Sequence, residues 1–432
     1  MNDWEALWEE YGSLEWDRLL DPAIEYAENG FVLNAENAGW ISSEFYNFPT
    51  HAQEIYGING TPLQTGDLLV QEDLGNSLRR ISERGAGAIY GGELGEAMAA
   101  AAQQSGGFLT TDDLQRNSAE WKPTIGMDYR GQRVESAPPP NTSWNSLTRL
   151  GVMSRFDPAS LGHNSIAYLD LYARVTEQAF YERYEYAEDP EVEPTPLDML
   201  LSEEYWSEQA AAIDPVLAAS SGPPESISTE LASATKTSGT NGEDREHTTH
   251  FVVADRDGNV VSMTQTLGNI FGSKVMPEGT GIWLNNSISY ARFDATDGSF
   301  KVTPGGYRLP GISPTLVMRN GKPQTALGTH GGYYITQTTP QMLMNLIDFD
   351  MDIQQAITAP RIAFMEPDSL AVDPSLPDST FNELVALGYA PYVDEYGLGN
   401  AHGLAIEYDE AGEPVRFTGG ADPRSDGIAV GF

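Results

Sequence analysis

The chain of 432 residues contains no cysteine, only five lysines (Lys122, Lys236, Lys274, Lys301 and Lys322), and no apolar run that approaches the length of a membrane span. Without cysteine there is no disulfide, no thiolate nucleophile and no cysteine-based metal site. A spanning helix needs about 18 consecutive apolar residues, so none is expected. The acidic start (Met1-Asn2-Asp3-Trp4-Glu5) lacks the basic and apolar regions of a secretory leader, and on these grounds the protein is expected to be cytoplasmic. Lys and Arg number 24 against 63 Asp and Glu, a formal net charge of −39. A field of that sign repels phosphate backbones and anionic lipid, which argues against nucleic-acid and membrane partners. So large an acidic excess also fits a halophilic protein, in which concentrated counterions screen the self-repulsion. That reading fails if molar salt leaves stability unchanged.

What is present suits a folded chain of two or three units, or one large two-part domain: 40% of residues are hydrophobic and 10% aromatic, enough for a sizeable core. Up to about residue 215 the pattern is mainly helical. Helical spacing runs over 14–28 with Gly30 as cap, and an Ala-rich helix over 93–104 stops at Gly106-Gly107. Thr111-Asp112-Asp113 reads as the N-cap of a short helix, 168–186 as a buried aromatic helix, and Pro138-Pro139-Pro140 as a rigid non-helical segment. Residues 219–247 hold almost no large apolar side chain and read as a flexible linker. Beyond them lie β-hairpins. Residues 251–254 and 260–264 flank Asp257-Gly258, 313–319 and 323–327 flank Asn320-Gly321, and 403–408 and 414–418 flank Gly412. Helices are expected over 339–347, 353–358 and 380–387, the last with a Thr380–Glu383 capping box. Hairpins covered by helices predict a layered α+β sandwich.

Chemistry can be sought in five candidate features. His247 and His250 flank two threonines, but in a strand these positions face opposite sides, which disfavours a metal site. Asp255-Arg256-Asp257-Gly258-Asn259 begins like a calcium loop, yet its Gly comes too early and no Glu closes it, so a hairpin turn is the better reading. Thr248 stands where the linker meets a strand. A threonine there is ordinarily structural, but one with a free amine carries its own general base and is a self-sufficient nucleophile. Gly331-Gly332 either turns two backbone N–H groups onto an oxyanion or makes an ordinary turn before a helix. Asp422-Pro423-Arg424 reads as a salt-bridged turn.

At these residues the chain resembles the gamma-glutamyltransferase (gamma-glutamyltranspeptidase) family of N-terminal-nucleophile hydrolases. The most specific stretch is Thr248-Thr249-His250-Phe251-Val252-Val253-Ala254-Asp255-Arg256-Asp257-Gly258-Asn259-Val260-Val261-Ser262. Thr264-Gln265-Thr266, Phe271-Gly272-Ser273 and Gly281-Ile282-Trp283-Leu284-Asn285-Asn286 continue it. So do Ser313-Pro314-Thr315, Gly328-Thr329-His330-Gly331-Gly332, Ala359-Pro360-Arg361 and Asp422-Pro423-Arg424. Upstream, Tyr11-Gly12-Ser13, residues 107–113 and the three prolines at 138–140 look like large-subunit landmarks.

The resemblance implies a four-layer αββα sandwich. It also implies a precursor that cuts its own His247–Thr248 bond into a large-subunit-like region (1–247) and a small-subunit-like region (248–432), which remain associated. Thr248 would be the nucleophile, Thr266 would orient it, and Gly331 and Gly332 would form the oxyanion hole. Neither metal nor organic cofactor is required. The substrate would be a small amide or gamma-glutamyl-like compound, with water or an amine as acceptor. The recognition shell departs from the family pattern. Gly268 replaces an Asn, Ser287 and Tyr290 stand where a Gln/Glu and an Asp pair with the substrate amino group, and Pro310-Gly311 replaces a Ser-Ser pair. No residue matches the family's Arg for the substrate carboxylate. The alternative is an inactive or truncated homologue keeping the fold alone, and retention of Thr248, Thr266, Gly331 and Gly332 counts against it.

Overall fold

The computed structural model describes residues 1–213, 246–290, 304–394 and 397–431, with side chains at 246, 247 and 290 excepted. Most of the expected linker lies outside these residues. The chain divides into two compact units.

The first unit comprises Met1–Lys122 and Leu267–Asn286. Trp16–Asn29 is a helix ended by Gly30 at φ +77°, a conformation that costs glycine least. Glu93–Gln104 is the Ala-rich helix. The short helix Thr111–Arg116 is capped by Thr110, one residue before the expected cap, because the Thr110 and Asp113 side chains satisfy each other's backbone N–H groups. An aromatic cluster binds the later segment into this unit: Phe271 lies 4.7 Å from Phe48 between ring centres, and Trp283 Nε1 donates to the Tyr56 hydroxyl at 3.0 Å.

The second unit comprises Pro123–Thr266 and Ser287–Phe432. Its strands are β1 (Ile125–Tyr129), β2 (Gln132–Ser136), β3 (Glu246–Ala254), β4 (Val260–Asn269, its residues to Thr266 in this unit), β5 (Thr315–Arg319) and β6 (Lys322–Thr329). They continue with β7 (Ile362–Met365), β8 (Ser369–Val372), β9 (Ala390–Val393), β10 (Ala401–Tyr408) and β11 (Pro414–Ala421). The order β11-β10-β6-β5-β2-β1 makes one antiparallel sheet, and β3 and β4 form a two-stranded ribbon. The β1–β2 hairpin lies within the stretch read as mainly helical. Its turn residues Arg130 and Gly131 both have positive φ, as a tight hairpin of this hand requires.

The helices are α1 (Trp144–Met153), α2 (Ile166–Tyr186), α3 (Ile335–Ile347), α4 (Ile353–Thr358) and α5 (Asp378–Ala386). Met127, Val134, Val317 and Leu327 from the sheet join Leu147, Leu150, Tyr172 and Met342 from the helices in one buried core. Each such side chain contributes about 1.5–3 kcal/mol on burial. On β6, strand alternation sends Leu327 toward the helices and Ala326 and Gly328 toward the ribbon. Helices, sheet and ribbon are thus successive layers.

Two expected helix starts differ. α3 begins at Ile335, four residues before the expected start, and carries Pro340 inside it. A proline there leaves the carbonyl four residues back without its helical donor. That carbonyl, Thr336 O, instead accepts from Ser146 Oγ and Arg149 Nη1, each at 3.3 Å. α5 starts at Asp378 with no side-chain cap, so the Thr380–Glu383 box does not form.

Candidate active site

The ribbon positions the first two functional candidates. Its turn is closed by Asp255 N–H donating to the Asn259 carbonyl at 3.1 Å, while the Asp255 carboxylate accepts from the N–H groups of Asp257 and Asn259. The carboxylate is spent within a hairpin turn. In the register this sets, Thr248 stands opposite Thr266 and His250 opposite Thr264. The Thr248 hydroxyl donates to the Thr266 hydroxyl at 3.1 Å, and His250 Nδ1 lies 2.8 Å from the Thr264 hydroxyl. A period of two brings both pairs to the same face. That face meets β6 at Gly328, where a Cβ would sit 2.3 Å from the His250 ring. The missing side chain is what lets the ribbon approach the sheet.

Thr248 and Thr266 line a cleft of about 250 Å³, part of it open to solvent, together with Gly332 and Ile335. The remaining wall is the segment carrying Arg308, Pro310, Gly311 and Ile312. Thr142 holds this segment in place: its N–H and hydroxyl both reach the Pro310 carbonyl, at 3.0 and 3.3 Å.

Gly331 and Gly332 have φ of +125° and +56° and form the turn into α3. The turn closes with Tyr334 N–H donating to the Gly331 carbonyl at 2.9 Å. A Cβ on Gly331 would lie 3.0 Å from Gly399 Cα, and one on Gly399 would lie 2.5 Å from the His330 carbonyl. Two backbones packed this closely admit only glycine at both positions. Beneath Gly399 is a buried ion network. Arg361 donates to the Gly399 carbonyl at 3.2 Å and to the Asp422 carboxylate at 2.6 Å, and both ionic side chains are fully buried. Arg424 bridges Asp422 and Asp373 at 2.8 and 2.6 Å. The Asp422-Pro423-Arg424 turn is therefore salt-bridged as expected, but its partners lie under the site.

Three histidines cluster beside this turn, His250 buried and His330 and His402 partly buried. Burial, followed by the neighbouring His402 and His330, pushes His250 down to about 3. Burial, followed by His402, pushes His330 down to about 4, and burial also lowers His402. All three are neutral in the folded protein at neutral pH. An unfolded histidine titrates near 6.5, so below that value the unfolded chain binds more protons than the folded one. Stability contributed by His250 and His330 is complete above about pH 6.5 and is lost as pH falls toward their folded values, by up to about 1.4 kcal/mol per pH unit for each. Urea midpoints measured from pH 8 to pH 5 are expected to fall steadily below pH 6.5, and a flat profile contradicts it.

Of the residues singled out by sequence, Thr248, Thr266, Gly332, Pro310 and Gly311 line one cleft, and Gly331 adjoins it. The Ser287 carbonyl accepts from Arg308 Nε at 3.1 Å, so Ser287 bears on the cleft through its backbone. Gly268 belongs to the first unit. The side chains of His247 and Tyr290 lie outside the described residues. Sequence reasoning passed over Arg308, Thr142, Gly399 and His402. For Arg308 the available signal was a lone cation between Gly305-Gly306 and Pro310-Gly311. For Gly399 it was the closely spaced pair Gly397 and Gly399.

The whole chain, residues 1–432, matches the family model for gamma-glutamyltranspeptidase. It is 30% identical over 440 positions to the glutathione hydrolase-like YwrD proenzyme of Bacillus subtilis, covering 100% of this chain and 79% of that protein. It is 32% identical over 429 positions to the acylase ACY 1 proenzyme of Pseudomonas sp. (strain SE83), covering 97% and 72%. The crystal structure of cephalosporin acylase from Bacillus halodurans matches with a TM-score of 0.85 at 26% identity, over 98% of this chain and 76% of that one.

Proposed function

The chain belongs to the gamma-glutamyltranspeptidase family, a family of hydrolases and transferases with the αββα sandwich fold, and from that premise we propose that it is a self-processing N-terminal-threonine acyltransferase and amidohydrolase. In the first step the Thr248 hydroxyl attacks the His247 carbonyl carbon and the His247–Thr248 C–N bond breaks, leaving an ester on Thr248 Oγ1 and a free Thr248 amine. Water hydrolyses the ester, and the two products remain associated. Proteins named as proenzymes among the relatives support this step.

In turnover the freed amine takes the proton of the Thr248 hydroxyl as it attacks the donor amide carbonyl, then delivers it to the departing amine. The resulting acyl ester is resolved by water or by an amine acceptor. The N–H groups of Gly331 and Gly332 stabilise the oxyanion of each tetrahedral intermediate, a contribution of about 3–4 kcal/mol where one such donor has been removed in other enzymes. The donor is a small amide bound without the family's usual contacts to a free amino-acid head, since Ser287, Tyr290, Pro310 and Gly311 replace them.

One observation carries this reading: the 3.1 Å hydrogen bond from Thr248 to Thr266 in a cleft that also holds Gly332. Brief reaction with an activated p-nitrophenyl ester, followed by peptide mass mapping, tests it. The expected acyl adduct is on the peptide beginning at Thr248, and an adduct found only elsewhere overturns the reading.

A further inference from the structure

Arg183 is buried near the end of α2, only 4% exposed. A guanidinium so placed needs partners that suit it, and aromatic rings supply them. Its central carbon lies 4.3 Å from the ring centre of Phe180 and 5.2 Å from that of Tyr184, both on α2, and 4.1 Å from that of Tyr333. Phe180 and Tyr333 meet nearly edge to face, with centres 6.2 Å apart and planes at 71°, so the cation touches both members of one aromatic pair. Phe180 is anchored in turn by Phe364 of β7 at 5.2 Å. Gln337 of α3 fixes Phe364, accepting from its N–H at 2.8 Å and donating to its carbonyl at 3.1 Å. The arginine thus joins a rigid platform to Tyr333.

Tyr333 directly follows Gly332. The turn it belongs to has two positive φ values in succession, a conformation kept by the contacts around it. At one end Gly331 packs against the Gly399 Cα. At the other, the Tyr334 hydroxyl donates to Asp394 at 2.8 Å and the Tyr333 ring is held by Arg183. We propose that Arg183 is a positioning residue: by stacking on Tyr333 it fixes the turn whose Gly331 and Gly332 N–H groups meet the oxyanion. The inference rests on the proposed acyl transfer at Thr248. Arginine suits this task because its planar, delocalised cation stacks on a ring face, which the compact ammonium of lysine does not. Donors to an oxyanion act in the transition state more than in the bound ground state, so loosening the turn lowers the rate of acylation and spares ester binding.

The test follows the burst of p-nitrophenolate from p-nitrophenyl acetate, which separates the acylation rate constant from the half-saturating ester concentration. Arg183→Met is expected to lower the rate constant by about 10- to 100-fold, less than the full loss of an oxyanion donor, with the half-saturating concentration little changed. Arg183→Lys is expected to fall between the two, and Tyr333→Phe to lose less than Tyr333→Leu. The double variant Arg183→Met/Tyr333→Leu is expected to lose no more than its worse parent, because both changes remove one contact. Losses that multiply, or a wild-type rate in Arg183→Met, overturn the proposal. Should Arg183→Met fail to fold, Tyr333→Leu against Tyr333→Phe still decides, because equal rates contradict a role for the ring. Hydrogen–deuterium exchange over residues 331–335, compared between Thr248→Ala and Thr248→Ala/Arg183→Met, reads the turn without any chemistry. Exchange is expected to quicken about tenfold in the second protein, and equal exchange sinks the proposal. A chain that the ester never acylates at Thr248, yet whose turn exchanges faster without Arg183, sinks the reading of Thr248 and leaves the hold of Arg183 on the turn standing.

Discussion

Thr248→Ala is expected to abolish turnover of any acyl donor, a loss of at least about 10⁴-fold, the scale seen when a nucleophile is removed from an assembled site. The substitution deletes the hydroxyl and leaves the strand, since Thr248 lies on a ribbon whose register is kept by the Asp255–Asn259 turn and the His250–Thr264 contact. A melting temperature close to wild type is therefore expected alongside the lost activity. Thr248→Ser keeps both hydroxyl and amine and is expected to remain measurably active. Thr266→Val removes the hydroxyl that accepts from Thr248, and a single hydrogen bond of this kind predicts about a tenfold loss. Steady-state kinetics on the four proteins checks the series. Equal activity in wild type and Thr248→Ala would remove Thr248 from the chemistry.

The second large effect is on stability. Asp422→Ala is expected to cost about 3–5 kcal/mol, the penalty for stranding a buried charge. The Asp422 carboxylate accepts from Arg361 at 2.6 Å, from Arg424 at 2.8 Å and from the Ala401 N–H at 3.1 Å. Burial alone would raise its pKa; the charges of Arg361 and Arg424 outweigh that and hold it below the ordinary carboxylate value. Its contribution is therefore present above the usual carboxylate range and is lost only as pH falls through the lower folded value, which separates it from the histidine effect at higher pH. The double variant Arg361→Met/Asp422→Ala removes one stranded guanidinium and is expected to recover part of the loss, as urea midpoints will report. Because Arg361 also holds the carbonyl of Gly399, against whose Cα Gly331 packs, activity is expected to fall in the single variant even where it remains folded. An Asp422→Ala protein as stable as wild type contradicts this account of the network.

Local patterns made part of the site legible. Alternation along residues 248–266 puts Thr248, His250, Thr264 and Thr266 on one ribbon, and the Asp-Gly turn between them fixes the pairing. The hairpins around Asn320-Gly321 and Gly412 were equally plain, because a positive φ at a defined turn position has few candidates. What sequence did not disclose depends on contacts between distant segments. Gly399 matters because its backbone touches Gly331, and no spacing rule links 399 to 331. The early start of α3 is hidden by Pro340, since the donor that compensates it comes from Arg149, nearly 200 residues upstream. Arg308 reads as one more surface arginine until Thr142 and Asp189 are seen to pin the segment that carries it. The β1–β2 hairpin was obscured by helical neighbours on both sides, although Arg130-Gly131 marked its turn.

The bond between His247 and Thr248 bears most directly on the whole account. Purified protein, incubated in molar salt and examined by intact mass and N-terminal sequencing, is predicted to yield two associated pieces, the second beginning Thr-Thr-His-Phe-Val at residue 248. A single undivided chain of 47.1 kDa, or a cut at any other bond, would contradict it.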